Sequence, residues 1–159
     1  KGAFGSEEYR LDREATACRR AGDWAGAIAA LRQRKALMGV EWADDKLAKY
    51  LQQAGRFDEA MDEIQWLLDH SQARERQALG HQPVSAQQAG HATNCMLIHR
   101  AAALICRRAG DATREAQHRE LAGRYTAVRQ RLEPIARAEI KAALAQRLSA
   151  DRIKRGERR

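Results

Sequence analysis

The stretch Cys18-Arg19-Arg20-Ala21-Gly22-Asp23 recurs residue for residue as Cys106-Arg107-Arg108-Ala109-Gly110-Asp111, and a degenerate copy, Leu51-Gln52-Gln53-Ala54-Gly55-Arg56, lies between them. Each copy closes one apolar-periodic segment and opens another, so each reads as the elbow of a helical hairpin. A fixed internal repeat sets the architecture before any single site does. The repeat here predicts an all-α fold: a stack of antiparallel helical hairpins, about seven helices in all, with a C-terminal capping helix.

Working outward from the first elbow, Ser6 followed by Glu7 and Glu8 reads as a capped helix start, with acids where the helix dipole favours them. That start leaves residues 1–5 as a flexible N-terminus. After Gly22, Asp23 caps a second helix whose Trp24, Ala27, Ile28 and Leu31 share a face, and Gly39 ends it. Trp42, Leu47, Ala48 and Leu51 lead to Gly55. Phe57, Ala60, Met61, Ile64, Leu67 and Leu68 then form an apolar stripe at helical spacing. Residues 6–73 thus hold two helix pairs.

Residues 74–90, rich in Gln, Gly and Ser and containing Pro83, read as a loop. Ser85 with Gln88 has the form of a capping box for a helix over 86–109. Leu121, Tyr125, Val128 and Leu132 mark the helix after Gly110. Pro134 permits a new first turn or a kink, and Ile140, Leu144 and Leu148 stripe the capping helix. Residues 91–150 therefore carry a divergent third pair and the cap, in the same domain as the first two, and residues 151–159 a basic tail.

Gly22 and Gly55 are 33 residues apart, close to a helix–turn–helix period. Ala21-Gly22-Asp23-Trp24 with Ala27, and Ala54-Gly55-Arg56-Phe57 with Ala60, resemble the tetratricopeptide repeat family. There a glycine–x–aromatic elbow precedes a small residue where paired helices cross. The third elbow departs from that pattern, with Ala112 where the aromatic belongs. The resemblance implies a concave groove lined by the first helix of each pair, holding a peptide or partner helix. By elbow alignment the groove would present Tyr9, Asp12, Thr16, Arg19 and Arg20, then Trp42, Asp45, Lys49, Gln52 and Gln53, then Leu97, Arg100, Leu104, Arg107 and Arg108. Such a surface is partly basic and suits an acidic peptide or protein segment; the asparagines of the family's carboxylate clamps are absent.

The net charge of +8 is unevenly placed. Residues 40–73 carry three Lys/Arg against eight Asp/Glu, whereas residues 74–159 carry eighteen against eight. The basic half makes nucleic-acid association the alternative reading, through phosphate contacts. Self-association through the last helix and the 86–109 helix is a third. No apolar run approaches the about 20 residues of a membrane span, so no membrane partner is expected. Three cysteines give no disulfide framework, which fits a cytoplasmic setting.

His91, Cys95 and His99 fall at i, i+4 and i+8 on one helix face. Neighbouring members suit zinc, but i+8 spans about 12 Å, too far for one ion to be gripped by all three. Further ligands would have to come from His81 or His118. The simpler reading makes Cys95 a small core residue and the histidines partly exposed packers. Cys18 and Cys106, at equivalent positions before their elbows, read as core side chains rather than nucleophiles. No phosphate-binding glycine loop, nucleophile elbow or paired-histidine zinc motif occurs. The chain is read as non-enzymatic and without a cofactor.

Overall fold

The computed structural model describes residues 3–156. Among these residues there are seven α-helices and no strand: α1 (Ala3–Arg20), α2 (Trp24–Met38), α3 (Lys46–Gln53), α4 (Phe57–Asp69), α5 (Ser71–Leu79), α6 (Val84–Arg108) and α7 (Ala112–Gly156), with a 3₁₀ turn at Gly39–Glu41. Three hairpins, α1/α2, α3/α4 and α6/α7, are joined through α2 against α3 and α4 against α6.

The three elbows share one backbone. Gly22, Gly55 and Gly110 each have φ +77°, the left-handed region that glycine enters at no steric cost. At each, the residue after the glycine donates its N–H back to the helix just ended: Asp23 to the Cys18 carbonyl at 2.8 Å, Arg56 to Leu51 at 2.8 Å, Asp111 to Cys106 at 2.9 Å. These bonds satisfy carbonyls that the helix end leaves without partners. The next helix then starts on a side-chain cap in two of the three cases. Asp23 accepts from the Gly26 N–H at 2.8 Å and Asp111 from the Arg114 N–H at 3.0 Å. At the middle elbow Arg56 instead pairs with Glu59, one turn into α4.

One continuous core runs through the stack, with Leu11, Leu31, Leu47, Leu51, Ile64, Leu67 and Ile105 all but fully buried. Ala27 and Ala60, each five residues beyond its elbow glycine, are 0% exposed, which is why these positions carry a single methyl group. The third hairpin has Glu115 at the equivalent place.

Four expectations need correction. The segment 74–90 is not a loop: α5 occupies most of it, and the connection is the turn at residues 80–83. Polar groups hold α5 in place, which is why no apolar stripe announced it. Arg74 donates from Nη2 to the Leu67 carbonyl at 2.9 Å, and Asn94 donates to Glu75 at 2.5 Å. Ser85 does not cap α6, whose N-cap is Pro83; its hydroxyl donates to Glu139 at 2.5 Å. Of the expected basic tail, residues 151–156 continue the last helix, while 157–159 lie outside the described residues. Likewise α1 begins at Ala3, so Ser6 sits inside the helix instead of capping it; of the expected flexible stretch, residues 1–2 lie outside the described residues.

The final helix of the sequence reading is the second half of α7, which runs unbroken through Pro134. Proline costs an interior helix one hydrogen bond. Packing on α6 supports the helix on both sides, since Leu132 is half-buried and Ala136 is buried. Beyond Glu139, Ile140, Leu144, Leu148 and Ile153 are exposed, and α7 packs on no helix but α6.

Candidate binding groove and the buried histidine row

A groove runs between α1, α3 and α6. Its two connected depressions, of about 420 and 500 Å3, share Asp44, Asp45, Lys49 and Leu104. Ile98 and Ala101 form a buried apolar floor, flanked by half-buried Leu104 and by Leu97, which is 52% exposed.

Much of the charge around the groove is already matched. Lys46 donates to Asp12 at 3.0 Å and to the Thr16 hydroxyl at 2.9 Å, tying α3 to α1. Lys49 pairs with Asp45 at 2.9 Å. Asp44 accepts from Arg34 at 3.0 Å and from the Lys46 N–H at 2.9 Å. What remains is arginine. Arg19, whose guanidinium lies 5.7 Å from the Tyr50 ring centre, Arg100 and Arg108 line the groove and have no ion-pair partner among the described residues.

Of the residues expected to bind a partner, Arg19, Lys49, Gln53, Arg100 and Arg108 are brought together here. Tyr9 is exposed on α1 with Arg13 over its ring, outside the groove. Arg20 is exposed at the end of α1, also outside it. Arg107 faces a neighbouring cleft between α6 and α7.

Trp42 is a correction. It is 0% exposed, because it lies in the connection before α3 and not on a helix face. Its Nε1 donates to Glu63 at 2.7 Å, and Glu63 also pairs with Lys35 at 2.6 Å. The aromatic expected to anchor a ligand instead anchors α2, α3 and α4 to one another. Lys46, Tyr50 and Asp44 are groove residues that the sequence reading missed. A groove face counted from Trp42 through Asp45 and Lys49 passes over Lys46 and Tyr50, whereas α3 starts only at Lys46, after the Asp44-Asp45 pair.

Behind the groove, α5, α6 and α7 enclose a polar row. His91 Nδ1 is 2.9 Å from the Ser71 hydroxyl, and Cys95 Sγ is 3.6 Å from His91. His99 is buried rather than partly exposed; its Nδ1 lies 2.9 Å from Nδ1 of His118, and its ring stacks on Tyr125. Two Nδ1 atoms at that distance share one proton, one donating and the other accepting. Burial depresses the pKa of His91 and His118, and burial with His118 alongside holds His99 down to about 4. Burial pushes all three thiols, Cys18, Cys95 and Cys106, upward, away from the reactive thiolate. Among the described residues no three His, Cys, Asp or Glu side chains are grouped to hold a metal ion. His118 joins the row; His81 sits exposed in the 80–83 turn.

Compared with family models, curated proteins and solved structures, the chain has no significant match. No described helix is long and apolar enough to cross a membrane.

Proposed function

We propose that the protein is a non-enzymatic interaction module, a tetratricopeptide-like adaptor whose groove between α1, α3 and α6 holds an acidic peptide or protein segment. One observation carries the reading: Arg19, Arg100 and Arg108 converge on an apolar-floored groove while the neighbouring lysines are already paired with aspartates. Arginine forks match carboxylates, and Leu97 and Leu104 offer apolar contact beside them. The repeated elbow and the small Ala27 and Ala60 support the family likeness, and a cytoplasmic setting fits the free cysteines.

The test is pull-down from the native organism with the wild-type chain and with the Arg19→Ala, Arg100→Ala, Arg108→Ala triple variant. Loss of an acidic partner only in the variant is expected. Unchanged capture would reject the groove.

A second reading is nucleic-acid association through α7. Its far half carries Arg137, Lys141, Arg147, Arg152, Lys154 and Arg155, none of them in an ion pair among the described residues. Its one aromatic, Tyr125, is taken up by His99. Any such binding would therefore rest on phosphate contacts and fall steeply with salt. A mobility-shift titration at low and moderate salt tests it, and no retardation at low salt rejects it.

A further inference from the structure

The third hairpin differs from the other two where its helices cross. In the first two, an aromatic two residues past the elbow glycine (Trp24, Phe57) and a fully buried alanine five residues past it (Ala27, Ala60) seal the crossing. In the third these positions are Ala112 and Glu115. The crossing opens into a cleft of about 390 Å3 between α6 and α7, with Ala103, Ala122 and Gly123 on its walls.

Three arginines line it: Arg100 and Arg107, two turns apart on α6, and Arg119 on α7. The single acid there, Glu115, pairs with Arg119 one turn along α7 at 2.7 Å. Arg100 and Arg107 have no ion-pair partner among the described residues. Three like charges around one concavity with one counter-charge make a local positive potential that attracts an anion.

We propose that this cleft is a phosphate-monoester site, in which Arg107 and Arg119 hold the phosphate from opposite helices and Arg100 closes the side toward the groove. Guanidinium groups bind phosphate oxygens in a fixed, bidentate geometry. The volume admits a phosphate with a small organic group attached. Two sources supply that chemistry: a free phosphorylated small molecule, or a phosphorylated residue of a segment in the adjoining groove, which shares Arg100 and Leu104 with the cleft. Only the second source rests on the groove reading.

Gly123 provides a direct test. It lines the cleft and is exposed, and a Cβ there would meet no atom within 4 Å, so the backbone accepts a side chain at this position and Gly123→Leu adds apolar bulk at the cleft wall. Phenyl phosphate is titrated into the isotope-labelled full chain at low salt, following amide shifts, with inorganic phosphate as a second probe. Saturable binding with shifts at Ala103, Gly123 and Thr126 is expected. Gly123→Leu and the pair Arg107→Gln with Arg119→Gln should each weaken it at least tenfold without lowering the unfolding midpoint, whereas Arg19→Ala with Arg108→Ala, which disables only the groove, should not. No saturation, or equal binding by Gly123→Leu, overturns the proposal. A serine-phosphorylated acidic peptide and its unmodified twin separate the sources. A phosphate-dependent gain that Gly123→Leu abolishes assigns the site to a bound segment. No gain, with phenyl phosphate still saturating, assigns it to a free ligand.

Discussion

At the elbows the constraint on sequence is conformational rather than steric, since a Cβ at Gly22, Gly55 or Gly110 would meet nothing within 4 Å. A β-branched side chain is strongly disfavoured at φ +77°, so Gly55→Val should cost about 1–3 kcal/mol in denaturant unfolding. Ala60 is the opposite case, a fully buried methyl at a helix crossing, where Ala60→Leu should cost about 1–3 kcal/mol by overpacking. Wild-type midpoints for both variants would break the alignment of the first two hairpins. Trp42 is constrained by its partner. Trp42→Phe keeps most of the packing and removes the donor to Glu63, a carboxylate that Lys35 still holds. Losing a hydrogen bond to a charged group costs about 1.5–3 kcal/mol. The same variant should capture an acidic partner as well as wild type does, because the ring lies in the core. Reduced capture at full stability would return Trp42 to the binding surface. The sequence made these residues conspicuous but left their environments open. Glycine at an elbow has one main reason to be there, whereas tryptophan serves a core and an interface equally well.

At the level of elements, apolar periodicity revealed the helices that bury a stripe and missed the one that does not. The face of α4 follows Phe57, Ala60, Met61, Ile64, Leu67 and Leu68 along the chain, and it was legible. Helix α5 reads Ser-Gln-Ala-Arg-Glu-Arg-Gln-Ala-Leu and is tied down by Arg74, which reaches back to the Leu67 carbonyl, and by Ser71 and Glu75, whose partners His91 and Asn94 are distant in sequence. The unbroken course of α7 through Pro134 was hidden for a related reason, because the support comes from α6. That α6–α7 contact carries the pH response of the fold. Tyr125 stacks on His99 and meets His91 edge-on, and Arg114 on α7 adds positive charge near His118. The ordinary histidine value is 6.5, and His99 is held down to about 4. Between those values the unfolded chain binds more protons than the folded one, so stability falls as pH falls. The contribution is whole above about pH 6.5 and is lost progressively toward pH 4. Thermal midpoints at pH 7.5 and 5.0 should differ more for wild type than for a His99→Gln, His118→Gln variant. Equal differences would mean that the pair does not couple to folding.

For the whole molecule, the decisive feature is a mismatch of length. Helix α6 has 25 residues and α7 has 45, about 38 Å against about 68 Å at 1.5 Å per residue. Everything past Glu139 therefore extends beyond the hairpin that holds it. Among the described residues one hydrogen bond reaches back from it, from Arg147 to the His81 carbonyl at 3.4 Å. Most helical stability in proteins comes from packing an apolar face, a packing this segment lacks, so stability should grade along one continuous helix. In a dilute monomer, amide hydrogen exchange is expected to be slow around residues 118–136, where α7 packs on α6, and to quicken steadily from 140 to 156. A chain ending at Glu139 should unfold within about 1 kcal/mol of the full chain, because it gives up little buried apolar surface. The exposed Ile140, Leu144, Leu148 and Ile153 add a concentration dependence if they pair between copies: protection over 140–156 would then rise with protein concentration together with the mass seen by light scattering. Uniformly slow exchange to Gly156 at low concentration, in a particle of monomer mass, would contradict the graded helix, since among the described residues α7 packs on no helix but α6.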